Sequence, residues 1–353
     1  MFRKHLINVK NPLFLLLILI ALTQACECGK GKDIPEVSSV EADVEIKRFE
    51  QDLFNADTVN FGAALRALEQ QYPEFGDIFF NQIMGAIDPR IAPQGAEEYI
   101  KGFITDERVR KLYDTVQIVY PDLAWFEKDI EQAIRFYRYY FPEQTPPKEV
   151  VTYVSEYTIA GFLYGDNDIA VGLDFFLGED YPYLLYNPGN PNFSKYLTRT
   201  YNKDHLVMRC VKLLVQDLLG VTSGTRMIDH MIHTGKELYI MEQLLPYSPD
   251  TVIFEFSKPQ LDWCRDNEAN LWAYFLTENL LYSSDWGKFR KYVEYSPNSP
   301  GMPDEAPGRT GSYLGYKIVQ AYMERNPETT LQQLIEMEDA QAIVEGARFK
   351  PSR

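Results

Sequence analysis

The chain has 353 residues, with 51 Asp and Glu against 35 Lys and Arg, a formal net charge of −16. A field of that sign repels phosphate backbones, so no nucleic-acid partner is expected. Four cysteines, with no Cys-x-x-Cys spacing, exclude both a disulfide-rich scaffold and a cysteine-built metal site.

The first ten residues carry Arg3, Lys4 and Lys10, and an apolar run from Pro12 to Leu22 follows. A basic start and a short apolar stretch form an export signal, and the stretch is too short to span a bilayer comfortably. The run closes on Thr23-Gln24-Ala25-Cys26. Small Ala25 directly before a cysteine suits cleavage ahead of Cys26 and lipidation of its thiol. Ordinary cleavage with Cys26 merely nearby is the alternative. Residues 1–25 are thus read as a signal peptide and 26–42, small and polar, as a tether. Residues 43–353 form the mature part, either one large domain or two intimate subdomains, helical over 43–148 and α+β over 149–353. Losing Arg3, Lys4 and Lys10 takes the charge from −16 to −19.

Helical periodicity runs over 61–72, 75–83, 97–103, 107–120 and 123–141, with breaks at Gly85, Pro89, Pro121 and Pro142. The aromatic stretch Phe136 to Phe141 reads as a helix end packed into the core. Pro146-Pro147 opens a β region: 150–154 is β-branched, and 159–164 and 169–176 form a hairpin across Gly165 to Asp168. Asp174 then falls inside an apolar strand, either hydrogen-bonded or lining a site. At least three strands followed by a return to helices is an α+β order, not an alternating one. Helices follow over 206–219 and 226–245. Ser257 with Gln260 forms a capping box for a long helix to about Tyr282. After the proline-rich loop 296–307 come a helix over 310–325 and two short ones over 331–347. The expected fold is α+β, mostly helical, with a small central β-sheet.

Chemistry is limited by the histidines: His5, His205, His230 and His233. None is followed by glutamate, so the His-Glu-x-x-His helix of zinc proteases is absent. The nearest substitute is His230, His233 and Glu237, three metal-ligand types on adjacent faces of one helix, with Asp229 able to orient His233. An ordinary helix with locally bonded histidines explains the same residues. Cys210 and Cys264 lie in apolar helical contexts, as a bridge or as two buried thiols. Arg309, opening a late helix, is placed to bind a carboxylate, and Gly311 and Gly315 allow close helix packing.

Several segments together resemble the gliding-motility lipoprotein GldB family. They are the start ending at Cys26, Val171 to Gly178, Met227 to Tyr239 with Leu244-Leu245-Pro246, and Pro307 to Val319. The resemblance spans most of the mature chain from about Phe49. It implies a relation to predicted zinc-dependent proteases of zincin-like fold, whose intact members pair a His-Glu-x-x-His helix with a second helix bearing Glu-Gly. Here Thr234-Gly235 puts Thr234 where that glutamate would stand, and 206–219 holds no His-Glu pair. The implied protein is a zincin-like scaffold without an intact zinc site, with Asp174, Thr234 and Arg309 lining a degenerate cleft. It would be lipid-anchored in the cell envelope, hold no cofactor, and support gliding motility or secretion machinery through protein partners. Two alternatives are a metal-dependent hydrolase using zinc on His230, His233 and Glu237, and a peptide- or glycan-binding envelope module suggested by its many aromatics and the loop Tyr181 to Phe193.

Overall fold

Among residues 34–186 and 188–352, which the computed structural model describes, the first element is a short strand, β1 (Glu45–Arg48). Cys26, the signal and the start of the tether lie outside these residues. Helices α1 (Phe49–Phe54), α2 (Phe61–Gln71) and α3 (Pro73–Asp77) follow, and α3 runs into a π-helical turn over Ile78–Ile83. Next come α4 (Ala96–Thr105), α5 (Glu107–Val119) and α6 (Ala124–Tyr140). The Asp106 side chain caps α5 by accepting from the Arg108 and Val109 amides. Phe136, Tyr137 and Phe141 are buried at the end of α6, as their aromatic run predicted.

The sheet comprises β1, β2 (Glu149–Tyr153), β3 (Gly161–Tyr164) and β4 (Asp168–Gly172), in the spatial order β1-β2-β4-β3. The β3–β4 hairpin is antiparallel as expected, but β1–β2 and β2–β4 are parallel. The sheet is therefore mixed and four-stranded, with β3 at one edge. Asp174 is not in a strand: β4 ends at Gly172 and a 3₁₀ turn, Leu173–Phe175, carries the aspartate. One side of the sheet meets an aromatic cluster, in which Phe49 sits edge-on to Phe75 at 4.8 Å and to Phe79 at 4.9 Å. Each such pair adds roughly 0.5–1.5 kcal/mol beyond its burial.

The remainder is helical: α7 (Lys203–Leu219), α8 (Met227–Leu244), α9 (Lys258–Asp266), α10 (Glu268–Thr277), α11 (Trp286–Val293), α12 (Thr310–Arg325), α13 (Leu331–Glu336) and α14 (Ala340–Ala347). One-turn segments at Tyr183–Tyr186, Lys195–Thr198 and Asp250–Ile253 lie in the connections. The Ser257–Gln260 capping box is present, yet the helix it opens stops at Asp266 instead of reaching Tyr282. Asn267 ends it by turning its side-chain amide back to the Trp263 carbonyl, 2.9 Å away.

Helix α8 is buried on most of its circumference, and α12 crosses it backbone to backbone. A Cβ added at Gly315 would lie 1.8 Å from the Met231 carbonyl oxygen, and one at Gly235 would lie 2.3 Å from the Gly315 carbonyl carbon. The two glycines thus set how closely the helices approach. Cys210 and Cys264 are both buried free thiols. No helix among the described residues is long and apolar enough to cross a membrane.

Candidate functional site

An ionised cluster lies where α7, α8 and the start of α12 meet. Arg209, Lys212 and Gln216 project from α7, Glu237 from α8, and Glu255 from the turn after Asp250–Ile253. Arg309 is the N-cap of α12. Lys212 Nζ is 3.1 Å from Glu255 Oε2, 3.2 Å from Glu237 Oε1 and 2.8 Å from the Tyr295 hydroxyl. Arg209 Nη2 lies 2.6 Å from Glu255 Oε1, and Arg309 Nη1 lies 3.3 Å from Glu255 Oε2. Gln216 Nε2 donates to Glu237 Oε2 at 3.0 Å, and the Tyr295 hydroxyl donates to Glu255. Further out, Arg199 donates to the Glu255 carbonyl and to Gln260 Oε1.

Burial and charge oppose each other here, and charge prevails. Desolvation would raise Glu255, but Arg209, Lys212 and Arg309 outweigh it and hold its carboxyl well below the usual carboxylate range. Burial likewise disfavours the Glu237 carboxylate, yet Lys212 and Gln216 keep it below its ordinary value. For Lys212, burial pulls down while Glu237 and Glu255 pull up harder, so the ammonium stays charged. A buried charge is tolerated on these terms when paired and hydrogen-bonded.

The backbone contributes to the arrangement. Glu255 and Arg309 both adopt left-handed conformations, with φ of 52° and 62°. For a residue with a Cβ this costs on the order of 1–3 kcal/mol, and such strain concentrates at clamps and sites. The ring of Tyr295, 39% exposed, covers the cluster: its centroid is 4.6 Å from the Arg309 guanidinium carbon and 5.2 Å from Lys212 Nζ. Beneath this ring, a cavity of about 210 Å³ runs between α7 and the β3–β4 end of the sheet. A roomier opening of about 600 Å³ beside Trp125 and Tyr247 presents Asp129, Lys203 and Asp204, all solvent-exposed, and holds no comparable network.

Of the residues singled out from sequence, Arg309 belongs to the cluster, where its guanidinium pairs with the Glu255 carboxylate of the same chain. Glu237 belongs too, but through Lys212 and Gln216 on the neighbouring helix. His230 packs instead against Trp286 and Phe289, with ring centroids 4.9 and 5.6 Å away. Burial lowers the basicity of both His230 and His233. Asp229 pairs with Arg226, not with His233. The Thr234 hydroxyl donates to the His230 carbonyl one turn back, at 2.9 Å. Asp174 is elsewhere: its Oδ2 accepts from the Ser155 and Tyr157 amides, and burial pushes it up to about 7. Among the described residues, no group of three His, Cys, Asp or Glu side chains converges to hold a metal ion.

Arg209, Lys212, Gln216, Glu255 and Tyr295 are not among the residues the sequence patterns point to. The signal was there in two places: Lys212 interrupts Val211 and Leu213-Leu214-Val215, and Glu255 interrupts Val252-Ile253-Phe254 and Phe256. A charge inside an apolar run must find a partner, although the run does not say which.

No curated protein and no solved structure matches the chain. The family description "Gliding motility protein GldB" matches residues 30–351, nearly all of the chain beyond the N-terminal apolar segment. By that match, and in keeping with the resemblance of its segments, the chain belongs to the gliding motility protein GldB family.

Proposed function

We propose that this protein is a lipid-anchored component of the cell envelope, tethered through Cys26, that supports gliding motility by binding a partner and not by catalysis. The family supports the motility role, and the basic start, apolar run and Ala25-Cys26 step support the anchor.

The observation that carries the non-catalytic reading is the Lys212–Glu237 ion pair. Lys212 and Gln216 stand one turn apart on α7 and face Glu237 on α8, which is the relation two helices need to hold a metal between them. We read the fold as a zincin-like scaffold in which the lysine ammonium takes the place of a metal cation. Zinc does not fit this donor set: a protonated lysine offers no lone pair, and Glu237 is committed to Lys212 and Gln216. A fixed ammonium balances the carboxylates but leaves no open coordination position at which water could be activated.

Metal analysis of the purified mature protein tests this. Less than stoichiometric zinc after dialysis is expected; one tightly held zinc per chain would overturn the reading. Labelling cells with a palmitate analogue tests the anchor: label is expected on the wild type and should vanish in Cys26→Ala, whereas persistent label would refute the assignment.

A further inference from the structure

Charge bookkeeping around Tyr295 leaves a remainder. Arg209, Lys212 and Arg309 face Glu255 and Glu237, and at the rim Arg199 feels Glu255 first and Glu179 after it, so four cations meet three carboxylates. One positive charge is uncompensated in a protein whose overall charge is −16. Arg209 also has a donor to spare: its Nε is buried with no hydrogen-bond partner, although most buried donors have one. The cavity under Tyr295 lies directly beside these groups. Arg209, Lys212 and Gln216 supply its polar wall, and Val171, Phe176 and Leu213 its apolar wall. The sheet side is bare backbone at Gly161, where an added Cβ would stand 2.9 Å from the Ala170 carbonyl oxygen and 3.3 Å from a Leu213 methyl. Arg209 is 24% exposed and Gln216 is exposed, so the polar end is open to solvent.

We propose that this cavity binds a single carboxylate carried on an apolar body, with the anion against Arg209 and Lys212 and the body over Val171, Phe176 and Leu213. One surplus charge matches a monoanion; a phosphate dianion would overshoot it. The apolar wall requires the carboxylate to bring a hydrocarbon or aromatic group with it. Two sources offer that chemistry, the C-terminus of a peptide ending in an apolar residue and a free organic acid. The inference rests on the binding role proposed above and gives that role a ligand.

Titrating the mature protein with 4-phenylbutyrate, a short peptide ending in Leu-Phe with a free C-terminus, and the amide of each decides the matter. Binding can be followed by calorimetry and by tyrosine fluorescence. Saturable binding of at least one acid is expected, with its amide weaker by about tenfold or more. Arg209→Gln should weaken the acid by about tenfold, and Leu213→Trp, which fills the cavity, should abolish binding with the circular dichroism spectrum unchanged. A tighter peptide acid identifies a chain terminus as the ligand, and a tighter phenylbutyrate identifies a free acid. Equal binding of acid and amide, inorganic phosphate binding as well as the acids, no saturation by any probe, or wild-type affinity in both variants would each overturn the proposal. The metal analysis and the titrations are separate readouts: tightly held zinc would sink the non-catalytic reading, whereas zinc-free protein that fails to bind the acids would sink this proposal alone, so the two failures are distinguishable.

Discussion

Glu255 and Lys212 are 43 residues apart in sequence and 3.1 Å apart in space, both buried. The carboxylate also receives Arg209, Arg309 and the Tyr295 hydroxyl, so it is the hub on which three cations depend. Glu255→Gln keeps the shape and removes the charge, leaving those cations to repel one another out of bulk water. Breaking a buried pair in this way costs roughly 3–5 kcal/mol, far above the value of an exposed pair. Urea unfolding should show that loss as a lower midpoint with little change in slope. Adding Lys212→Met should restore part of it, because one of the stranded charges leaves with the lysine. A double variant as unstable as the sum of the two singles would contradict this coupling.

The crossing of α8 and α12 yields a steric prediction. Gly315→Ala places a methyl at 1.8 Å from the Met231 carbonyl, a backbone atom that cannot swing aside. The helices must separate, and overpacking of this kind costs about 1–3 kcal/mol and sometimes more. Gly102→Ala is the control: it lies in α4, and an added Cβ meets nothing within 4 Å. Better helix propensity should leave that variant equal to wild type or slightly more stable in thermal unfolding. Equal midpoints for the two variants would mean that the close crossing is not a constraint.

Much of the helical architecture was legible because its signals are local. The α5 and α6 boundaries follow from periodicity and from Pro121 and Pro142, and Ser257 with Gln260 marks the start of α9 without tertiary help. The misses have physical reasons. Strand β1 is four residues, Glu-Ile-Lys-Arg, none of them buried, and exists because it pairs with β2 at an edge. Parallel pairing of β2 with β4 could not be read from a hairpin signal, since the hairpin joins β3 to β4. Helix α11 was not anticipated, and the break at Asn267 turns on one side-chain hydrogen bond. The site was least legible of all: α7 supplies Arg209, Lys212 and Gln216, while Glu237, Glu255, Tyr295 and Arg309 come from four other stretches of the chain. Only Arg309 and Glu237 were singled out beforehand, and Glu237 with the wrong partners. Long-range charge pairing leaves embedded charges in a sequence but not their addresses.

Asp174 gives a pH prediction of opposite sign to the usual carboxylate. Its Oδ2 holds the Ser155 and Tyr157 amides, fixing a turn in which Glu156 and Tyr157 are both left-handed, with φ of 54° and 61°. Its Oδ1 is buried without a partner, and burial raises the group from 3.8 to about 7. Between those values the folded protein holds a proton that the unfolded chain has released. Stability from this group is therefore greatest below pH 4, declines as pH rises toward 7, and is level above that. Asp174→Asn cannot titrate, so the difference in unfolding free energy between wild type and variant should shift steadily in the variant's favour from pH 4 to 7 and then stop changing. Comparing the two proteins cancels the titration of the other carboxylates, including that of Glu255, which is depressed and contributes with the opposite slope at lower pH. A difference that stays flat across that window would show that Asp174 is ionised in the native state well below neutral pH, and that the two amide hydrogen bonds outweigh its desolvation.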